Sequence, residues 1–352
     1  MTSLPFTYLP GDGIGPEVGA AAVAVLGAAA DKFGYTLEID EQLIGGAAID
    51  AGKAPLPAGT LASVIETGAV LLGAVGGPKW DSLPREDRPE VGALLPLRKQ
   101  LNLYANIRPC KPHPMLIDHT PLKPEYLDGV DFIVMRELTG GIYFGAKGTD
   151  GLGAYDECRY CEAEVERIAR KAFILAEQRR GKVTSVDKSN VLATSQLWRK
   201  TVNKVAEGFP DVGVEHVLID AMTMHMLTRA QDFDVILTEN MFGDILTDEA
   251  SVLCGSMGVI PSASLSDGTP GLYEPIHGSA PDIAGRNTAN PVAMILSAAL
   301  MVRLSLGEGL MADSIEAAVE AAMTGGHVTA DIGGPLGTSD VGRWIADYVL
   351  QT

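Results

Sequence analysis

Short apolar runs alternate along this chain with longer segments of helical periodicity, and that alternation restricts the fold more than any other feature. Leu4 to Leu9 reads as a strand. It runs into Pro10-Gly11-Asp12-Gly13-Ile14-Gly15-Pro16, and the Ala/Val stretch from Val18 to Ala30 then reads as a helix with Pro16 suited to its first turn. Val70 to Ala74, Phe132 to Arg136, Val183 to Val186, Val214 to Ile219 and Val235 to Thr238 read as further strands with helices between them. The pattern predicts an α/β protein with a largely parallel sheet. A chain of 352 residues has room for one or two domains. No repeat, low-complexity tract or linker breaks it, so a second domain is expected as an insertion within the first.

The formal net charge of -18 argues against a basic face for nucleic acid. With only 27 Lys and Arg, an acidic ligand would need arginines gathered locally. No apolar run reaches the roughly 18 residues that cross a membrane. Met1-Thr2-Ser3-Leu4-Pro5 lacks the basic start of a signal peptide, so a cytoplasmic location is expected. The cysteines are Cys110, Cys158, Cys161 and Cys254. The lone C-x-x-C of Cys158 and Cys161 has no second pair to complete a zinc site, and plain thiols in a reducing compartment suit it better than a redox role.

Two phosphate signatures fail. Gly11-x-Gly13-x-Gly15 brings its third glycine one position early for a dinucleotide fingerprint, with Pro16 in the expected place. Gly52-Lys53 is followed by Ala54 rather than the Ser or Thr of a Walker A loop. Any nucleotide is held otherwise than in a Rossmann fold.

Chemistry concentrates in a few stretches. In Asn240-Met241-Phe242-Gly243-Asp244-Ile245-Leu246-Thr247-Asp248-Glu249 the two aspartates are four apart, on one face of a helix that follows a strand. Converging carboxylates there suit Mg²⁺ or Mn²⁺; the same spacing also fits an acidic helix start favoured by the dipole. Asp220, read as the end of Val217-Leu218-Ile219-Asp220, is a candidate third carboxylate. In Leu94-Leu95-Pro96-Leu97-Arg98-Lys99 a helix would put Leu94 and Arg98 on one face with Leu95 beside them, lining a pocket for an apolar branch and a carboxylate or forming a core stripe with a snorkelling Arg. Arg108 and Arg136 stand at further element edges, and three such forks suggest a dicarboxylate site or separate structural ion pairs. Thr139-Gly140-Gly141-Ile142-Tyr143 lets backbone approach a ligand and offers Tyr143 as a proton donor or a packed aromatic. Lys188, past Val183 to Val186, suits a base or a solvated cation. The run from Glu274 to Gly285, with His277, reads as a shaped loop.

These residues together bring out a likeness. The chain resembles the β-decarboxylating hydroxyacid dehydrogenases through Leu9-Pro10-Gly11-Asp12-Gly13-Ile14-Gly15-Pro16-Glu17, Gly92-Ala93-Leu94-Leu95-Pro96-Leu97-Arg98, Glu137-Leu138-Thr139-Gly140-Gly141-Ile142-Tyr143, Asn240 to Asp248, and His277-Gly278-Ser279-Ala280-Pro281-Asp282-Ile283-Ala284-Gly285. Five motifs in order cover essentially the whole chain. The resemblance implies an α/β isocitrate/isopropylmalate dehydrogenase-like fold, not a Rossmann fold, with two domains sharing a continuous sheet and the active site in the cleft between them. Residues 1–103 with 256–352 would form the cofactor-side domain, and 104–255 the inserted, dimerising one. It further implies a homodimer whose sites borrow residues from the partner.

Carried over by motif, Arg98, Arg108 and Arg136 would hold the malate carboxylates. Asp244 and Asp248 would bind the metal, with Asp220 from the other subunit. Lys188, also from the partner, would be the base and Tyr143 the acid. Glu90, Leu94 and Leu95, with the partner chain's copy of Val191, would surround an isopropyl group and the nicotinamide. Gly77, Pro78 and the segment up to Glu90 would follow the nicotinamide half, joined by Asn190. His277, Gly278, Ser279, Ala280, Asp282, Ile283 and Asn290 would hold the adenosine half. Asp282 would bond the ribose hydroxyls and repel a 2′-phosphate, favouring NAD over NADP.

The implied reaction is oxidation and decarboxylation of 3-isopropylmalate in leucine biosynthesis. Leu94 and Leu95 favour an apolar branch; isocitrate or homoisocitrate would bury a third carboxylate there at a cost of several kcal/mol, and D-malate or tartrate would leave the wall unfilled. A catalytically silent subunit of an isocitrate dehydrogenase would have lost part of the Arg, Tyr, Lys and Asp set, which is present in full here. Cys158 and Cys161 fall in the arm that reaches across the dimer in the family, and nothing in the resemblance assigns them a role.

Overall fold

Strand β1 (Thr2–Gly11) buries every residue from Phe6 to Leu9, the unbroken apolar run expected of a strand covered on both faces. It pairs in parallel with β2 (Tyr35–Glu41) and β3 (Ala69–Ala74). The computed structural model describes residues 2–352 and divides into two units, Met1–Leu103 with Ser256–Thr352, and Tyr104–Gly255. β1 ends in a turn only glycine tolerates: Gly11 has φ 70°, and a Cβ there would lie 1.9 Å from the Ala74 carbonyl oxygen. The helix Gly15–Phe33 follows, closed by Gly34 in the left-handed conformation. It packs closely on the last helix, Thr338–Gln351, where a side chain at Gly342 would meet Ala21.

In the inserted unit come β4 (Ala105–Cys110), β5 (Phe132–Glu137), a hairpin of β6 (Lys147–Thr149) and β7 (Ala154–Asp156), then β8 (Lys182–Asp187), β9 (Gly213–Leu218) and β10 (Val235–Thr238). Their order is β4-β5-β10-β8-β9, parallel except for the β4–β5 pair. The chain then returns to the first unit with β11 (Pro261–Ser266) and β12 (Gly268–Pro275), an antiparallel pair that completes the order β2-β1-β3-β12-β11. The class is therefore α/β with a mostly parallel arrangement, as the alternation of runs implies. β2 escapes sequence reading because it is exposed and charged, with Glu38, Asp40 and Glu41 on an edge strand.

The helices Glu162–Glu177 and Ala193–Ala206 cover the sheet of the inserted unit. Phe173 stacks on Phe209 at 5.2 Å between ring centroids, and Tyr160 meets Trp198 edge-on at 5.8 Å. Cys161 caps the first of these helices through its side chain, with the Glu164 carboxylate accepting from the Cys161 N–H at 2.8 Å, so half of the C-x-x-C has a local structural use. All four cysteines are free thiols. Among the described residues no helix is long and apolar enough to cross a membrane.

Phe173→Ala should lower the stability of the inserted unit by about 3–5 kcal/mol. Urea unfolding followed by the fluorescence of buried Trp198 measures the loss.

Candidate active site

β5 and β10 are neighbours, so the segments that leave their C-terminal ends lie side by side. After β10 the helix Asn240–Leu253 starts at once, capped by Glu239, whose Oε1 accepts from the Phe242 N–H at 3.1 Å. Burial comes first among the causes that raise Glu239's pKa. Asp244 lies one turn in and Asp248 the next, and both reach solvent. Arg136 is the last residue but one of β5 and is 4 % exposed. Its Nη1 donates to Asp244 Oδ1 at 2.5 Å. Its Nε and Nη2 donate to Asn240 Oδ1 at 3.1 and 2.9 Å.

Tyr143 ends the short turn Gly141–Tyr143 and donates its hydroxyl to Asp244 Oδ2 at 2.9 Å. The Arg136 guanidinium lies 5.9 Å from the centre of its ring. Burial raises the phenol's pKa, and the bond to Asp244 acts in the same direction. Asp244 thus joins a buried arginine and a tyrosine that keeps its proton. Arg108 on β4 donates Nη1 to Thr247 Oγ1 at 2.7 Å and Nε to Asn106 Oδ1 at 3.0 Å, so the second arginine is tied to the same helix between the two aspartates.

Lys188 follows β8 and pairs with the Asp220 carboxylate, whose side chain is 63 % exposed. That bond holds Asp220 below the usual carboxylate range. The expected strand end at Asp220 is corrected: β9 stops at Leu218, and Asp220 sits in the first turn of the helix Ile219–Thr228. Among the described residues, no three His, Cys, Asp or Glu side chains of one chain could hold a metal, so Asp220 does not join Asp244 and Asp248 within the chain. Asn190 and Val191 are exposed in the turn after Lys188.

In the first unit Arg98 donates Nη2 to Glu274 Oε1 at 2.6 Å, both side chains largely buried, while its buried Nε has no partner. Glu90–Leu94 forms a wider π turn before the helix Leu95–Gln100, and Leu94, itself in helical conformation, caps that helix one turn before Arg98. Leu94 packs against the core around Leu72 and Leu97, and Leu95 is half-buried. Glu90 lies against Gly76, where a Cβ would come within 1.8 Å of Glu90 Oε1. Gly77 and Pro78 follow.

The Ser279 carbonyl accepts from the Ile14 N–H at 2.7 Å, and Gly13 fits over it only without a side chain. Gly278 and Asp282 are exposed, and Ala280 takes φ 38° where the loop turns back so that the Ile283 N–H reaches its carbonyl. Burial lowers the pKa of His277, whose Nε2 is buried without a partner. Asn290 donates to Asp331 Oδ2 at 3.1 Å and accepts from the Val292 N–H.

Sequence reasoning assigned no role to Asp12, Asn106, Glu137, Asn240, Thr247 or Glu274. Asp12 is 4 % exposed and accepts backbone N–H bonds from Gly46, Ala47 and Gly76 at 2.9, 2.7 and 2.7 Å. Most of these residues lie inside the quoted motifs, but Asp12, Asn240, Thr247 and Glu274 have partners distant in sequence, which no local signal announces.

The family model described as isocitrate/isopropylmalate dehydrogenase matches residues 6–345. The chain is 56 % identical over 337 residues to 3-isopropylmalate dehydrogenase of Geobacillus kaustophilus, covering 94 % of this chain and 91 % of that protein. It is 53 % identical over 348 residues to 3-isopropylmalate dehydrogenase of Anaeromyxobacter dehalogenans, covering 97 % of each. The crystal structure of isocitrate dehydrogenase from Methylococcus capsulatus is similar with a TM-score of 0.88, 35 % identity and full coverage of both chains.

Arg136→Lys should destabilise the protein by about 1–3 kcal/mol, because one ammonium cannot serve both Asn240 Oδ1 and Asp244. Chemical unfolding of the variant beside the wild type gives the difference.

Proposed function

The chain belongs to the isocitrate/isopropylmalate dehydrogenase family, and we propose that it oxidatively decarboxylates 3-isopropylmalate to 4-methyl-2-oxopentanoate with reduction of NAD⁺, in leucine biosynthesis. The observation that carries the reaction is the triangle of Arg136, Asp244 and Tyr143: a carboxylate-binding fork, a hard oxygen donor and a protonated phenol in direct contact. The substrate follows the higher identity to 3-isopropylmalate dehydrogenases, against 35 % to the isocitrate enzyme. Leu95, half-buried just before Arg98, fits an apolar branch and offers nothing to a third carboxylate.

Asp244 and Asp248 fit Mg²⁺ or Mn²⁺ by donor type and by their access to solvent. Among the described residues no third carboxylate of the same chain joins them. That supports Asp220 of a second copy as the third ligand, with Lys188 beside it. Met224, Ile245 and Val252 are exposed on the helices that carry these aspartates, which supports a homodimer formed through that face. NAD fits the loop from His277 to Asn290, where the unpartnered His277 Nε2 and the open Gly278 can meet the adenosine half. Asp282 accepts ribose hydroxyls there and disfavours a 2′-phosphate. Gly77, Pro78 and Glu90 flank the nicotinamide half. Free thiols fit a cytoplasmic location.

When bound, the cation supplies Lewis acidity and the nicotinamide a hydride acceptor. Arg98, Arg108 and Arg136 bind the two carboxylates and hold C2 and C3 in place. Lys188 takes the C2 hydroxyl proton, directly or through water. Loss of that proton together with the C2 hydride leaves a ketone β to the second carboxylate, so CO₂ leaves and the bonding pair stays with C3 as an enolate. Tyr143 Oη then delivers a proton to C3.

NADH formation should be fastest with 3-isopropylmalate against isocitrate, homoisocitrate, D-malate and tartrate, and EDTA should abolish it. Preference for another acid would overturn the substrate, and inactivity on all would point to a silent subunit. Tyr143→Phe should lower kcat by roughly 10²–10⁴-fold with KM little changed. In EDTA the Tyr143 phenol should ionise above the ordinary tyrosine value of about 10, since burial raises it; an ultraviolet titration of wild type against Tyr143→Phe that shows it ionising below that value would contradict the assignment.

A further inference from the structure

Asn240 has no exposed surface, and its side-chain amide makes four hydrogen bonds. Oδ1 accepts from Arg136 Nε and Nη2 at 3.1 and 2.9 Å. Nδ2 donates to the carbonyls of Leu138 and Gly140 at 3.1 and 3.0 Å. Two lone pairs and two hydrogens are thereby used, so the amide has one orientation: reversed, it would set its N–H groups against the guanidinium and its oxygen against two carbonyls. The helix does not need this side chain, because Glu239 already caps it. The partners of the amide are instead the arginine at the end of β5 and the turn that leads to Tyr143.

The other side of the turn is held too. Glu137, fully buried, accepts from the Thr139 and Gly140 N–H groups at 3.1 and 2.7 Å, from Thr139 Oγ1 at 3.0 Å and from Arg167 Nη2 at 3.1 Å. Gly141 then takes φ 73°, and Tyr143 comes two residues later. One helical turn beyond Asn240, Asp244 receives both Arg136 and Tyr143. A single buried amide therefore joins the arginine, the tyrosine's turn and the helix that bears the aspartate.

We propose that Asn240 is a positioning residue for proton delivery: it sets the Tyr143 turn in register with the Arg136 guanidinium, and so the phenol in register with the bound substrate. This rests on Tyr143 being the acid. Asn240→Asp keeps an oxygen toward Arg136 but turns a second oxygen toward the Leu138 and Gly140 carbonyls, which pushes the turn away. A displacement of about 1 Å at a reacting group costs on the order of 10²-fold in rate.

The test is a double-mutant cycle with Asn240→Asp and Tyr143→Phe, each assayed for kcat, KM and NADH affinity. Asn240→Asp should lower kcat about 10–100-fold with KM for the acid nearly unchanged. In the Tyr143→Phe background the same substitution should cost less than about twofold, because the group it positions is gone. A merely structural role would reduce rate equally in both backgrounds, and that result overturns the proposal, as would a wild-type kcat in Asn240→Asp. A fully active Tyr143→Phe would instead overturn the acid assignment, and the proposal with it. Should Asn240→Asp lose the wild-type circular dichroism, Asn240→Ser replaces it in the cycle, since one shorter hydroxyl cannot donate to both the Leu138 and Gly140 carbonyls.

Discussion

A guanidinium that is 4 % exposed cannot stand without partners, and the layout of the inserted unit answers that constraint. Arg136 is the last residue but one of a strand inside the sheet, so its partners must come from the segment leaving the neighbouring strand. The helix Asn240–Leu253 supplies them at its first residue and again one turn on, through Asn240 and Asp244. That requirement explains the abrupt start of the helix and its cap by a buried Glu239. Gly243 belongs to the same solution, since a Cβ there would come within 2.6 Å of Arg136 Cγ. The phenol of Tyr143 meets Asp244 because the arginine and the tyrosine's turn share one amide.

The first unit is organised around an anion instead. Asp12 gathers three N–H groups, two from the first turn of the helix Gly45–Asp50 and one from the segment after β3, and burial still raises its pKa above the usual carboxylate value. Beside it the Ile14 N–H holds the Ser279 carbonyl. The ends of β1 and β3 and the loop after β12 are thus joined through the Gly11-to-Gly15 turn, whose glycines serve close backbone approach. The failed dinucleotide fingerprint and the structural use of those glycines have the same physical reading.

Strands buried on both faces were legible because burial writes itself as an apolar run. Val70 to Ala74, Val183 to Val186 and Val235 to Thr238 fall within β3, β8 and β10. The strands that went unseen are of other kinds: charged β2 on an edge, β4 with Asn106, Arg108 and Pro109, the three-residue β6 and β7, and β11 and β12, where Ser, Gly and Pro interrupt any run. Among the functional candidates, Arg136, Tyr143 and Asp244 stood out as residue types at element ends, and they are in direct contact. The π turn at Glu90–Leu94 went unread because it is invisible to a period of 3.6 residues.

The order of apolar runs and the residue types at their ends determined the α/β class and the family, for these depend on local periodicity and on motifs contiguous in the chain. Which groups share a bond was decided only by the tertiary structure. Arg98 with Glu274, Arg108 with Thr247, and Asn240 with Arg136 are partners separated by 176, 139 and 104 positions. A hydrogen bond depends on distance and angle in space, and over such separations only the packed sheet and its helices set either.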